Sequence, residues 1–196
     1  MYQTLLGDAK FFEFLLRLDE DSAREIQAGG CECGGRLHQA HYPRKPRGGP
    51  EVLSRWVSRR LSYCCSVDGC RRRCTPPSLR FLGRKVFFSL VVLLVPALRE
   101  GPTPIRVRRL QELFGVSART LRRWQRFWRF EFGHSEAMKR LRGLSAVPLE
   151  SGRLPTCLLE IFGCSPEAES VDTKPRLVAV LRALSPAKRD VQILCG

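Results

Sequence analysis

Six cysteines crowd into residues 31–74, as "CECGG" (Cys31, Cys33) and "YCCSVDGCRRRC" (Cys64, Cys65, Cys70, Cys74). The stretch between them, "HYPRKPRGGPE", is a loop by composition. A unit this small depends on a cross-link to fold. The N-terminal stretch "MYQTLLGDAKFFEFLLRLDEDS" has no basic start, and acidic residues follow its apolar run, so it does not read as a secretory signal. The expectation is an unexported chain with reduced thiols, in which clustered cysteines point to metal.

Four thiolates hold zinc in a tetrahedron with Zn–S near ~2.3 Å. Two cysteines close in sequence supply one edge, and glycine after the second lets backbone N–H groups turn toward the sulfurs. A second close pair, about 30 residues on, supplies the other edge. The spacing predicts a zinc ribbon with Cys31, Cys33, Cys65 and Cys70 as ligands and one structural zinc per chain. The first pair is C-x-C and the second C-x4-C, where C-x-x-C is the common spacing. Leu61, Tyr63 and Cys65 share a strand face by period-2 alternation, which favours Cys65 over Cys64. Cys64 and Cys74 are the alternatives. His38 and His41 flank the first pair but are not needed once four cysteines suffice.

Outside this unit the pattern is mostly helical, so the fold class is α+β: a small β zinc ribbon followed by a mostly α-helical region. Residues 8–27 carry an apolar stripe (Phe11, Phe12, Leu15, Leu16, Leu18), with Asp8 as the cap and Gly29-Gly30 as the stop. "EVLSRWVSRRLSYCC", residues 51–65, reads as strand. Residues 83–99 read as a buried apolar helix. Its run "VFFSLVVLLVPAL" is 13 residues long and broken by Pro96, short of the ~20 that a membrane span needs. "EGPTP" is a linker, 105–132 a helical pair and 136–142 a short basic helix. Two apolar fragments, 154–162 and 176–184, lie in a weakly patterned tail with no assigned role. The divisions are an N-terminal helix (1–30), the ribbon (31–82), the apolar helix with the helical pair (83–142) and a C-terminal segment (143–196).

Charge separates these parts. The chain holds 34 basic and 19 acidic residues, a net +15. Residues 36–142 alone hold 25 basic against 6 acidic, a net +19. Arginine strongly outnumbers lysine, and its planar fork suits phosphate. A field this concentrated attracts polyanions, nucleic acid first.

The helical pair gives that charge a direction. In "RLQELFGVSARTLRRWQRFW", residues 109–128, Leu110, Phe114, Val116, Leu121 and Trp124 are placed to bury together across a turn at Gly115. Gly115 permits the turn and Ser117 caps the second helix. The other side of that helix carries Ala118, Arg119, Arg122, Arg123 and Arg126. This pattern is similar to a helix-turn-helix, whose second helix enters the major groove. It departs at Gln111, where that motif commonly has a small residue. Ser117, Ala118, Arg119, Arg122 and Arg123 would lie nearest the bases. Arg106, Arg108, Arg109, Arg126 and Arg129 would meet phosphates. The aromatics of "WQRFWRFEF" fit core packing better than base stacking, because their spacing is helical.

The order of these parts resembles the DNA-recognition portion of bacterial insertion-sequence transposases. The residues that carry this are "CECGGRLH", "YCCSVDGCRRRC" followed by "TPPSLRFLGRKVFF", and "LQELFGVSARTLRRW", spanning residues 31–130. The resemblance implies recognition of element ends or related duplex sites. It does not extend to catalysis, which in that family needs three separated carboxylates holding two divalent metals. The remaining sequence offers no strand-borne trio, and Asp172 and Asp190 lie in weakly patterned sequence. No P-loop, dinucleotide fingerprint or nucleophile elbow is present, so an enzyme is not expected.

The sequence therefore predicts a zinc-dependent, sequence-specific DNA-binding protein. Its setting is the cytoplasm of a bacterium, on the nucleoid, as an accessory or remnant factor of a mobile element. Duplex DNA is the expected partner, with a homodimer as a further expectation and no membrane or small-molecule substrate. Two other classes fit the same features: an RNA-binding zinc-ribbon protein, and a protein-interaction adaptor with a structural zinc.

Overall fold

Asp8 begins the first long element. Its carboxylate accepts from the Phe11 N–H at 3.2 Å, satisfying one of the donors that a helix N-terminus leaves free. The structure is a computed structural model that describes residues 2–82, 85–97, 104–145, 147–164 and 173–185. Two N-terminal helices, α1 (Tyr2–Leu6) and α2 (Ala9–Ala28), precede a set of short strands. On α2 the predicted stripe turns inward: Phe11, Phe12 and Leu15 are buried, while Leu16 and Leu18 pack against the same core.

The β unit is two small antiparallel sheets. One has the order β1-β4-β5 (Leu37–Gln39, Tyr63–Cys65, Arg73–Cys74), with Leu37 opposite Cys65 and Tyr63 opposite Cys74. The other pairs β2 (Tyr42–Pro43) with β3 (Arg59–Arg60). Residues 51–65 are not one strand. Only Arg59–Arg60 and Tyr63–Cys65 are extended, and the reason lies in the turns before them. Val57 N–H bonds to Ser54 O at 3.0 Å and Arg59 N–H to Trp56 O at 3.0 Å. These turns drop Val57 into the core, fully buried, and leave Trp56 outside.

The remaining helices are α3 (Ser89–Leu94), α4 (Pro104–Phe114), α5 (Ala118–Arg126), α6 (Glu136–Leu144), α7 (Thr156–Ile161) and α8 (Thr173–Leu184). The apolar helix is shorter than its sequence suggests. Phe87 and Phe88 are buried ahead of it in non-helical backbone, and Pro96 has no N–H to continue it. All six residues of α3 are buried, and its five apolar side chains are each worth about 1.5–3 kcal/mol of transfer free energy. The Trp128 indole N–H donates to Val92 O at 3.0 Å, tying the second half of the chain to this central helix. Trp128 lies in a five-residue π turn, Phe127–Glu131, that prolongs α5.

One apolar cluster draws on residues from Leu5 to Leu184. The fragments that the sequence left without a role, 154–162 and 176–184, are α7 and α8, and their apolar side chains face this core. A second, small cluster of Ala23, Leu37, Leu61 and Tyr63 lies between α2 and the three-stranded sheet. A buried ion pair joins the helical and β parts. Asp19 on α2 accepts from Arg80 Nε at 2.8 Å, from the Leu79 N–H at 2.6 Å and from the Ser78 hydroxyl at 2.5 Å. Among the described residues, no helix is long and apolar enough to cross a membrane.

Candidate metal centre and cationic helix face

Two hairpin-like arms bring four cysteines to one point. In the first arm the Gly34 N–H bonds to Cys31 O at 2.8 Å and the Cys31 N–H to Gly35 O at 2.9 Å. Gly34 sits at φ +82°, a conformation that favours glycine. Gly35 has no room for a side chain: a β-carbon there would lie 2.5 Å from Cys65 Sγ and 2.8 Å from Val67 Cγ2. In the second arm the Cys70 N–H closes onto Val67 O at 3.0 Å, and the Val67 N–H points at Cys65 Sγ, 3.5 Å away. The arms are pinned together by the Arg36 N–H on Ser66 Oγ at 3.1 Å, by the Ser66 N–H on Arg36 O at 2.9 Å and by an Arg72–Glu32 ion pair of 2.5 Å.

The sulfurs of Cys31, Cys33, Cys65 and Cys70 all lie within 4.8 Å of one another. Cys31 Sγ is 3.8 Å from Cys70 Sγ, and Cys33 Sγ is 3.4 Å from Cys65 Sγ. These are not disulfides, whose sulfurs sit about 2.05 Å apart. A metal–sulfur bond near 2.3 Å in tetrahedral geometry sets the edges at about 3.8 Å, so the four cysteines are placed to bind a metal ion. The Cys65 thiol shows the electrostatic side of this arrangement. The Val67 N–H favours its thiolate, but desolvation and the neighbouring thiols outweigh that and push it up to about 12. Thiols this crowded ionise together only around a cation, which reverses the local balance. Four sulfurs around one ion would leave no open coordination position.

The other thiols and imidazoles of this unit point elsewhere. Cys64, on the opposite strand face, donates to Arg71 O at 3.4 Å. Cys74 packs on the small cluster beneath the sheet. The Ser62 N–H donates to His41 Nδ1 at 3.1 Å, and His38 is exposed.

The helical pair is present, with a three-residue connection, 115–117. Gly115 adopts φ +62° and its N–H bonds to Gln111 O at 2.9 Å. Ser117 caps α5, accepting from the Thr120 N–H at 3.3 Å. Val116, Leu121 and Trp124 are buried and Phe114 is half-buried. The side chains of Leu110, Arg106 and Arg109 lie outside the described residues, while Arg108 is exposed. On α5, Arg119, Arg122, Arg123 and Arg126 are exposed, at i, i+3, i+4 and i+7. That spacing makes one stripe, on the side opposite Leu121, Trp124 and Trp128. Ala118 and Ser117 are half-buried at its start, and Arg129 is exposed just beyond its end. Among the described residues, no carboxylate pairs with these five arginines. Of the later aromatics, Trp124, Trp128 and Phe132 are core residues, as their spacing implies, and Phe130 is exposed.

Sequence reasoning missed the Asp19–Arg80 pair. The signal was there: Asp19 stands four residues after Leu15 and four before Ala23, a charge on the buried stripe.

Fold and site together define a small α+β protein with a four-cysteine cluster placed to bind a metal ion and an arginine-lined helix. Compared with known protein families, with curated proteins and with solved structures, the chain matches none.

Proposed function

We propose that this protein is a zinc-stabilised, sequence-specific DNA-binding protein, in which α4, residues 115–117 and α5 act as a helix-turn-helix. The observation that carries the reading is the α5 stripe. Four arginines on one face, held by a capped helix on a buried Leu121 and Trp124, stay exposed and without acidic partners among the described residues. Unneutralised guanidinium groups on a rigid rod that fits the major groove have phosphates and guanine edges as natural partners.

Zinc is the metal that suits the cluster. Soft thiolates select zinc among the common divalent ions, and four of them close its coordination shell. Its role is to fold the β unit rather than to react. Its resemblance to the recognition part of insertion-sequence transposases supports an accessory or remnant role in a mobile element.

The test is selection from a random duplex pool. Zinc-loaded protein is incubated with the pool at moderate salt, and the bound fraction is sequenced. An enriched motif that disappears with Arg119→Ala plus Arg123→Ala supports the reading. Bound DNA without a motif would sink sequence-specific recognition.

A further inference from the structure

Trp56 is 49 % exposed in the middle of the most basic part of the chain. A side chain this large and apolar is seldom left outside without a partner. Two guanidinium groups flank it, Arg59 with its carbon 4.6 Å from the ring centroid and Arg55 at 5.2 Å. Among the described residues, neither arginine has an acidic partner. Beside the ring opens a cleft of about 320 Å³ between α2 and the β unit, its wall formed by Gln39, His41, Arg59 and Tyr63. That volume accommodates a nucleobase with part of its sugar. Its lining offers amide and carboxylate groups, Gln39 and Glu20, to the edge of a base.

We propose that this cleft takes an unpaired base of single-stranded DNA, stacked on Trp56, with Arg55 and Arg59 moving onto the adjoining phosphates. Stacking on an exposed indole is open to any base because every base has a π face. The cations that now cover the ring are the groups that a phosphate would draw away. Duplex DNA cannot use this site, since its bases are already stacked. The site lies on the β unit, apart from the α5 stripe, and does not depend on the duplex reading. It would let one chain hold a melted or frayed end while α5 holds the neighbouring duplex.

The chain has three tryptophans, and the other two, Trp124 and Trp128, are 3 % and 0 % exposed. Quenching by an added oligonucleotide therefore reads Trp56. Full-length, metal-loaded protein is titrated with oligo(dT), oligo(rU) and a blunt duplex, following tryptophan emission and, separately, anisotropy of labelled strands. The expected result is quenching by oligo(dT) that the duplex does not produce. Trp56→Phe abolishes the quenching while keeping most of the binding. Trp56→Ala weakens oligo(dT) binding by about tenfold or more. Arg55→Ala with Arg59→Ala lowers the slope of log K against log salt by about 1.4, the value for two phosphates on a single strand. Unchanged oligo(dT) affinity in Trp56→Ala, with its metal content intact, overturns the proposal, as does tighter binding of oligo(rU). Arg119→Ala with Arg123→Ala tests the duplex reading separately: it removes the motif preference on duplex DNA and leaves oligo(dT) quenching in place. Loss of oligo(dT) binding in that variant would place the single strand on α5 and overturn the proposal.

Discussion

Gly35 and Cys64 each decide something at the scale of a single atom. A β-carbon on Gly35 would press into the Cys65 sulfur, and backbone on both arms fixes that sulfur's position. Gly35→Ala is therefore expected to lose bound metal, read by elemental analysis of the purified protein. Gly34→Ala meets nothing within 4 Å; it strains only the backbone, by about 1–2 kcal/mol, and should keep its metal. Cys64→Ser should keep one metal per chain and Cys65→Ser should lose it; the reverse result would exchange the two residues' roles. The strand alternation that pointed to Cys65 was legible because Leu61, just before β4, and Tyr63 and Cys65 within it are all buried. Arg80 is a different case. Its side chain is fully buried, its Nη1 reaches Val57 O, and its Nη2 has no hydrogen-bond partner among the described residues. Asp19→Ala would leave that charge buried and unpaired, a loss of about 3–5 kcal/mol. Adding Arg80→Met removes the stranded charge and should restore most of the stability, measured by urea unfolding. No restoration would mean that the hydrogen bonds to Ser78 and Leu79, not the charge, hold the junction.

Among whole elements, α2 and α5 were readable because each pairs a 3.6-residue apolar stripe with a capping side chain at its start. Ser117→Ala is expected to cost about 1 kcal/mol through the lost bond to the Thr120 N–H, seen as a lower unfolding midpoint. Asp8 acts twice, capping α2 and pairing with Lys174 of α8 at 2.6 Å. The bond to Lys174 and the Phe11 N–H hold its carboxyl below the usual range against some desolvation. A depressed pKa stabilises the fold above the unfolded value near 3.9, and that contribution fades as pH falls through the folded value. Asp8→Asn keeps an acceptor for the cap, so it should lose only the part contributed by the ion pair, which is small because Lys174 is about half exposed. The strand expected over residues 51–65 failed because β-forming residues were read without their turns. Val57 is apolar because it plugs the core from a turn, not because it faces a sheet. On α5 the stripe predicts a split. Under the proposed duplex reading, Arg123→Ala should change sequence preference, at about 1–3 kcal/mol for the base it would contact. Arg129→Ala, beyond the end of the helix, should weaken all sequences alike. Binding assays on the selected motif and on random duplex separate the two, and equal effects in both variants would refute the split.

At the scale of the molecule, the two apolar clusters found among the described residues differ greatly in extent. The large one runs from Leu5 to Leu184 and includes α3, α7 and α8; the small one has four buried members under the sheet. The sequence showed the apolar residues of α7 and α8 but not their destination. The two pack on each other and α8 also on α6, inside a cluster that reaches back to Leu5, and no local period encodes which neighbour an apolar stripe will meet. The same difference in size predicts what metal removal does. Four buried side chains in the small cluster cannot offset the ordering entropy of the β unit, so the β unit should open when a chelator strips the metal under reducing conditions. The large cluster needs no metal, and Asp19, Ser78 and Arg80 anchor the chain where the two parts meet. Val57 lies in the large cluster as well, so the turn that carries Trp56 should stay in place. Hydrogen exchange tests this directly. Amides of Leu37–Gln39 and Tyr63–Cys65 should lose protection on chelation, while those of α3 and α8 keep theirs and the emission of the buried Trp124 and Trp128, read in Trp56→Phe, does not shift. If α3 and α8 lose protection together with the sheet, the protein unfolds as one cooperative unit. The metal would then support the helix that carries the arginines as well as the strands that hold the cysteines.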